Sequence, residues 1–480
     1  MEAGEGPGSS RVPWLPLLCV LAGLGVRLAL CFEKPLWADE IFTLSLAREP
    51  LSRIVEALRL DSGPPLHYLL AKLALLPAGA PGAGDVSVRL VSFLAALLHV
   101  PLLLLAARRA GAARSGWGAA ALYSLFPIAV AYGAEGRGYA VASLLVLAAF
   151  ERSLAVRERP SPGTAVAAGL CAGAALLTHY LALFPLAGAA LALRRGGPRR
   201  LHLLSGAVAA LVAAAWLPVA LVQPRASMAW VAGLPASGQA SRLVVGVLLG
   251  IDDGGRALPF LFCGSLAVLV LFALAARRGD PAAAAVLAGG ALFFLAGLAY
   301  PEILLPERGA VAFLPLTALV LGGRDGIPAG TASAAAGAFL LLQASSWVRT
   351  SPGEDLAAHL AGPVGQGARV VAVGLWGPEL SYRMAAIGRP GCVSLFPSDV
   401  ARHPGWYAEA EVPPERLVAE ARAVAAAGRP SDLFVLPRGS RASEALRGEI
   451  AGAGARPVGA TPLLELYRLG RPGAAGEGER

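Results

Sequence analysis

Charge is scarce in this 480-residue chain: only 15% of residues are Asp, Glu, Lys or Arg, against 56% hydrophobic. A water-soluble domain carries about 25% charged residues. With a mean hydropathy of +0.61, no soluble core could hide the apolar surface, so lipid is the expected solvent. Cysteine is also sparse. Cys19, Cys31, Cys171 and Cys263 lie in or beside apolar segments, Cys392 stands alone in the tail, and none has metal-ligand spacing. That excludes a zinc-ribbon reading and predicts no structural disulfide. A Gly-rich dinucleotide fingerprint is missing. So is any basic stripe interleaved with aromatics, and the net charge of +9 therefore does not indicate a nucleic-acid partner. Lysine is nearly absent too: Lys34 and Lys72 stand alone among many arginines.

What is present is a series of apolar segments near 13–32, 86–107, 116–132, 138–155, 163–178, 180–193, 201–222, 257–276, 281–299, 310–322 and 328–346. They predict an all-α polytopic membrane protein with about eleven spans. The first lacks a clean small-residue cleavage site and reads as a retained helix. Arginines fall after alternate segments (Arg108, Arg109 and Arg114; Arg152, Arg157 and Arg159; Arg194, Arg195, Arg199 and Arg200; Arg277 and Arg278; Arg324), which places those loops in the cytoplasm. The stretch Pro64–Leu73 is helical in character, but counting it as a span would turn every arginine loop outward. With Lys72 inside it, it is read as an interfacial helix in a long first external loop, 33–85, preceded by an amphipathic piece at Leu51–Leu60.

After Trp347 charge returns and apolar runs shorten. Arg369–Val373 and Asp432–Leu436 read as buried strands, Pro414–Ala427 and Ala442–Ala451 as helices. The expected organisation is a membrane domain over 1–346 and a small α/β extracytoplasmic domain over 347–480.

The ionisable residues of the external loops gather at helix ends. Asp39-Glu40 could supply a general base or hold a cation; it would equally suit the acidic first turn of a helix. Lys34 and Lys72 could bind phosphate as point charges, or snorkel. Glu135 and Arg137 sit in a turn with three glycines and could simply pair with each other. His179 and Tyr180 mark a third turn, where a structural His and an interfacial Tyr are the ordinary expectation. Glu302, Glu307 and Arg308 form a fourth cluster, in which Arg308 could meet phosphate. All four clusters fall on one side of the membrane, as a site handling a lipid-borne polar group would require.

At these residues the sequence resembles a known family. Trp37-Ala38-Asp39-Glu40, Asp61 with Pro64-Pro65-Leu66-His67-Tyr68-Leu69-Leu70, Glu135-Gly136-Arg137-Gly138-Tyr139-Ala140 and Thr178-His179-Tyr180 occur in the order found in bacterial membrane glycosyltransferases of the GT-C fold, relatives of the protein O-mannosyltransferases and of the aminoarabinose transferases that modify lipid A. The resemblance covers about residues 14–325. It implies a polyprenyl-phosphate sugar donor, a glycan, lipid or protein acceptor on the external face, and inversion at the anomeric carbon. Asp39 would then be the base and Glu40 its assistant. Glu135 would face substrate or a cation, and Lys72, Arg137 or Arg308 would meet the lipid phosphate. His67, Tyr68, Tyr139, His179 and Tyr180 would contact substrate. No cofactor is required, and some relatives use a divalent cation. Gly136 and Gly138 replace larger residues of relatives, which would loosen the second turn. The expected location is a bacterial plasma (inner) membrane, since abundant Ala, Gly and Arg fit a GC-rich genome. The competing class is a transporter or flippase of lipid-linked glycan, which should carry charge near mid-membrane; the helix interiors here read as almost free of it.

Overall fold

The computed structural model describes residues 14–76, 83–112, 116–194, 197–223, 236–251, 258–303, 306–322, 352–402, 412–461 and 463–470, together with 337 and 409. The segment expected at 328–346 lies outside the described residues, apart from residue 337. Ten helices build the first part of the membrane unit: α1 (Trp14–Glu33), α2 (Ala38–Arg48), α3 (Leu51–Arg59), α4 (Leu66–Leu75), α5 (Ala83–Arg109), α6 (Gly116–Leu125), α7 (Pro127–Gly133), α8 (Tyr139–Glu158), α9 (Pro162–Thr178) and α10 (Leu183–Leu193). Helices Arg199–Ala214, Ala236–Leu249, Leu258–Arg277, Pro281–Ala299 and Leu314–Leu321 follow.

Among the described residues four helices are long and apolar enough to cross a membrane: Trp14–Glu33, Gly84–Arg109, Tyr139–Glu158 and Pro281–Ala299. The protein is a membrane protein on that ground. Several expected segments are broken or shorter. The 116–132 segment divides at Phe126, because Pro127 has no N–H to give to the Tyr123 carbonyl. Arg27 of α1 supplies the missing donors, with Nη2 to Tyr123 O at 3.2 Å and Nη1 to Ser124 O at 2.6 Å. This buried arginine departs from the expected near-absence of charge inside the helices. Helix Ala236–Leu249 was not anticipated; its Leu243, Val247 and Leu248 join the main core while its polar start masks the apolar signal. Helix α4, by contrast, has ten residues, a length of about 15 Å at 1.5 Å per residue. That cannot span, as expected.

Helix packing relies on small residues, as it does where lipid removes the hydrophobic drive between helices. A Cβ on Gly188 of α10 would lie 2.1 Å from Ala285 O, and one on Gly289 would lie 2.6 Å from Phe184 O. The two helices therefore cross with their backbones in contact.

Residues 352–469 hold a five-stranded sheet in the order β2-β1-β3-β5-β4: β1 (Val370–Val373), β2 (Val393–Phe396), β3 (Leu433–Pro437), β4 (Ala455–Ala460) and β5 (Leu464–Leu469). β1 runs parallel to β2 and β3, and β5 antiparallel to β3 and β4. The strand alternation sorts the sheet into two buried faces. Val371, Val373, Phe434 and Leu436 pack under helices Pro414–Ala426 and Arg441–Gly452. Val370, Ala372, Leu433 and Val435 pack under helices Pro352–Gly365 and Trp376–Ala386. Both central strands and the two later helices lie where their sequence patterns place them.

The crossing at Gly188 yields a prediction. Gly188→Leu should destabilise the protein by roughly 1–3 kcal/mol through overpacking, read as a lowered melting temperature in detergent. An unchanged melt would show that the helices separate at no cost.

Candidate active site

The first loop is organised by a buried ion pair. Glu40 (0% exposed) and Arg89 (1%) meet in a two-pronged contact, Nε to Oε1 and Nη2 to Oε2, both at 2.7 Å. Glu40 Oε1 also accepts from Gly136 N at 2.8 Å. The same guanidinium donates to Leu30 O, Cys31 O, Lys34 O and Pro35 O. These are carbonyls at and beyond the end of α1, where helical partners run out. The Arg89–Glu40 pair thereby joins α1, the 34–37 strap, the first turn of α2 and the second loop.

Asp39 is the neighbour of Glu40 but points elsewhere, because successive residues on a helix diverge by about 100°. Its Oδ2 lies 3.5 Å from Arg308 Nη2 and 3.7 Å from Arg137 Nη2. Arg308 also sits over the Trp37 ring, 5.8 Å from its centre. Arg137 Nη1 is 3.4 Å from Asp39 O, Thr43 Oγ1 and Tyr68 Oη. Burial lowers the pKa of Arg137, but Tyr68 and Asp39 outweigh it and hold the group well above its ordinary value. Arg308 is likewise raised, by Tyr139 and Asp39 against burial.

Beside this trio lies a cavity of about 390 Å³. Its lining includes Asp61, His67, Tyr68, Arg137, Tyr139, His179, Tyr180, Gln223, Tyr300 and Arg308. Burial lowers His67 to about 4. Burial, then Arg137 and Arg308, lower His179 to about 3. Both imidazoles are neutral at pH 7, and His179 Nδ1 accepts from Leu181 N at 3.2 Å. Both ring nitrogens of His67 are buried, with no hydrogen bond within 3.5 Å among the described residues. Tyr180, pushed up to about 12 by burial, donates to Gln223 Oε1 at 2.8 Å and accepts from Trp216 Nε1 at 3.0 Å. Gln223 Nε2 closes the wall by donating to Leu58 O and Gly63 O.

Of the residues proposed from sequence, His67, Tyr68, Arg137, Tyr139, His179, Tyr180 and Arg308 line the cavity, and Asp39 touches two of them. Asp39 itself is not part of the lining, and three others lie outside it as well. Glu40 is consumed by Arg89. Glu135 is held by Lys34 at 2.7 Å; burial raises its pKa and the lysine opposes this. Lys72 donates to Ala47 O at 3.3 Å and Glu49 O at 2.7 Å, closing the carbonyl end of α2 instead of reaching a phosphate. The side chains of Glu302 and Glu307 lie outside the described residues. Sequence reasoning missed Arg89, Gln223 and Tyr300. Arg89 had a signal, an arginine one turn inside an apolar segment; Gln223 and Tyr300 had none beyond their place at segment ends. The second turn is not loosened by its glycines: a Cβ on Gly136 would stand 3.0 Å from Val88 Cγ2, and one on Gly138 would stand 3.1 Å from His67 Cβ. Both allow close approach.

Among the described residues no group of three or more His, Cys, Asp or Glu comes together. The groups around Asp39 are guanidiniums, a donor set that does not fit a divalent cation.

Two consequences are measurable. Glu40→Gln leaves a buried guanidinium short of its counter-charge and should cost roughly 3–5 kcal/mol; thermal unfolding with a thermostability no lower than wild type would refute the pair's structural weight. Because the folded pKa values of His67 and His179 lie below the unfolded value of 6.5, the unfolded chain takes up protons that the folded chain refuses. Stability should therefore fall as pH drops from about 6.5 towards 4, with no contribution above that window. Melting series at pH 7 and 5 should give a shallower slope for His67→Gln; equal slopes would mean that His67 titrates normally.

Residues 62–223 match the family model described as dolichyl-phosphate-mannose-protein mannosyltransferase. The fold is similar to the crystal structure of ArnT from Cupriavidus metallidurans in the apo state, at 16% identity and a TM-score of 0.59, covering 95% of this chain and 97% of that one. Weaker likenesses include the arabinofuranosyltransferase AftD from mycobacteria (16% identity, TM-score 0.44, 96% and 42% covered) and the apo oligosaccharyltransferase of Archaeoglobus fulgidus (12%, 0.47, 96% and 75%). No curated protein matches in sequence.

Proposed function

This chain has the GT-C fold of membrane glycosyltransferases and resembles the protein O-mannosyltransferase and aminoarabinose transferase superfamily, and on that premise we propose that it transfers a hexosyl or pentosyl group from a polyprenyl-phosphate donor to an acceptor hydroxyl. The observation that carries the reading is Asp39, set between Arg137 and Arg308 at the edge of a buried cavity. The match of 162 residues to a family described by a dolichyl-phosphate sugar donor supports the donor class.

In the proposed reaction Asp39 takes the proton of the acceptor hydroxyl. The acceptor oxygen bonds to the anomeric carbon from the face opposite the phosphate, the carbon–phosphate oxygen bond breaks, and configuration inverts. The lipid phosphate leaves with the bonding pair, and Arg137 and Arg308 stabilise its growing charge. Both guanidiniums face Asp39, so an arriving phosphate would compete with the carboxylate for them and release it to act. Neutral His67 and His179 suit hydroxyl recognition. The acceptor is a glycan, lipid or protein.

Eleven spans and an extracytoplasmic C-terminal domain complete the proposal. Helix α8 starts at the cavity with Tyr139 and ends beside Arg157 and Arg159. The cavity and that arginine-bearing loop lie at opposite ends of α8, and this charge asymmetry supports an outer-face cavity in a bacterial inner membrane.

Purified protein reconstituted with radiolabelled polyprenyl-phosphate sugars and membrane extract tests the reading. Asp39→Asn should reduce transfer by about 10²–10⁴-fold with donor binding retained. Full activity in that variant removes the base role; carriage of lipid-linked sugar across liposomes without transfer by the wild type replaces the enzyme with a transporter.

A further inference from the structure

The strap that leads into Asp39 lies between helices, so its carbonyls need donors from elsewhere. Arg89 takes Lys34 O and Pro35 O. The next carbonyl, Leu36 O, accepts from Arg383 Nη2 at 2.8 Å. Arg383 belongs to helix Trp376–Ala386 of the C-terminal unit, almost 350 residues away in sequence. It is 8% exposed, and Glu379 balances its charge from 2.9 and 3.0 Å. Its neighbour Tyr382 hydrogen-bonds Asp85 in the first turn of α5, one turn before Arg89. The Tyr382 ring also packs against the cluster of Leu36, Ile41, Leu44 and Val88.

This helix thus touches both supports of Asp39: the strap three residues before it and the helix that carries Arg89. The contacts are not needed to close the sheet, whose near face is covered by Leu380 and Met384 of the same helix. A buried guanidinium and a half-buried hydroxyl that do not face the sheet are costly unless partnered, and partners for both lie in the membrane unit.

We propose that Arg383 and Tyr382 are positioning residues, through which the C-terminal unit fixes the strap and holds the Asp39 carboxylate in register with Arg137 and Arg308. The catalytic half of this inference rests on Asp39 being the base. Arg137 and Arg308 stand on other elements, so loss of the contact should disturb the base more than donor binding.

The experiment uses full-length protein in lipid nanodiscs, with Arg383→Gln, Arg383→Lys and Tyr382→Phe, and reads hydrogen exchange together with transfer kinetics. In Arg383→Gln, amides 36–41 should exchange about tenfold faster while those of β1 and β3 are unchanged, since a bond to a charged donor is lost locally. The kcat should fall on the order of 10–100-fold with donor KM within about twofold. Arg383→Lys should restore part of both, and Tyr382→Phe, which removes only a hydroxyl, should show the same pattern in smaller degree. Unchanged exchange at 36–41 in Arg383→Gln and Tyr382→Phe overturns the inference. So does exchange that rises uniformly over the chain, which would mean general destabilisation only. Local exchange changes in a wild type that transfers no sugar would uphold the docking role and sink the transferase reading instead.

Discussion

The structure of the site depends on one buried ion pair. Arg89 brings a full charge into the end of a spanning helix, where an unpaired ion costs several kcal/mol. It is tolerated because the guanidinium meets a carboxylate with two prongs and closes four backbone carbonyls as well. Those carbonyls belong to the end of α1 and to the strap, and the carboxylate belongs to the first turn of α2. The pair therefore determines where α2 starts and how it is rotated. With Glu40 locked inward, Asp39 turns towards Arg137 and Arg308, which line the cavity. Two adjacent acids have divided into one that supports and one that is presented.

The cavity's electrostatics follow from the same burial. Desolvation keeps His67 and His179 unprotonated at neutral pH, and raises Tyr68 and Tyr180 so that they stay neutral. The fixed charges are left to Arg137, Arg308, Asp39 and Asp61. Two guanidiniums share one partly exposed carboxylate, that of Asp39. At a partly enclosed site such charges interact more strongly than they would at an open surface. Placing neutral imidazoles and phenols around them supplies hydrogen bonds without adding net charge.

Much of this was legible in the sequence, and the losses have physical causes. The one-sided clustering of polar residues identified the cavity wall, since seven of the residues singled out line it. The helix Leu66–Leu75 was recognised as non-spanning from arginine topology, and the strands at Val370 and Leu433 from short β-branched apolar runs. Which member of Asp39-Glu40 faces inward was not legible, because that is decided by Arg89, 49 positions away. The break before Pro127 was hidden inside an apolar run, and the arginine that compensates for it lies about a hundred positions earlier in the chain. Lys72 was conspicuous for its rarity, yet rarity carries no information about which carbonyl a side chain will find.

These misassignments share a cause. At a membrane boundary, irregular backbone needs partners that lipid cannot supply. In the first loop, Arg89 serves Leu30, Cys31, Lys34 and Pro35, Arg383 serves Leu36, Arg137 reaches Asp39 O, Lys72 serves Ala47 and Glu49, and Gln223 serves Leu58 and Gly63. Five long polar side chains around the loop are thus engaged with its carbonyls. A polar residue beside a membrane-embedded site is thus structural until its geometry says otherwise, and the residues that remain available for chemistry are those with capacity left over. Asp39 has such capacity, held only at 3.5 and 3.7 Å by its two arginines. So has His67, whose buried ring nitrogens make no hydrogen bond within 3.5 Å among the described residues and lie beside the same cavity.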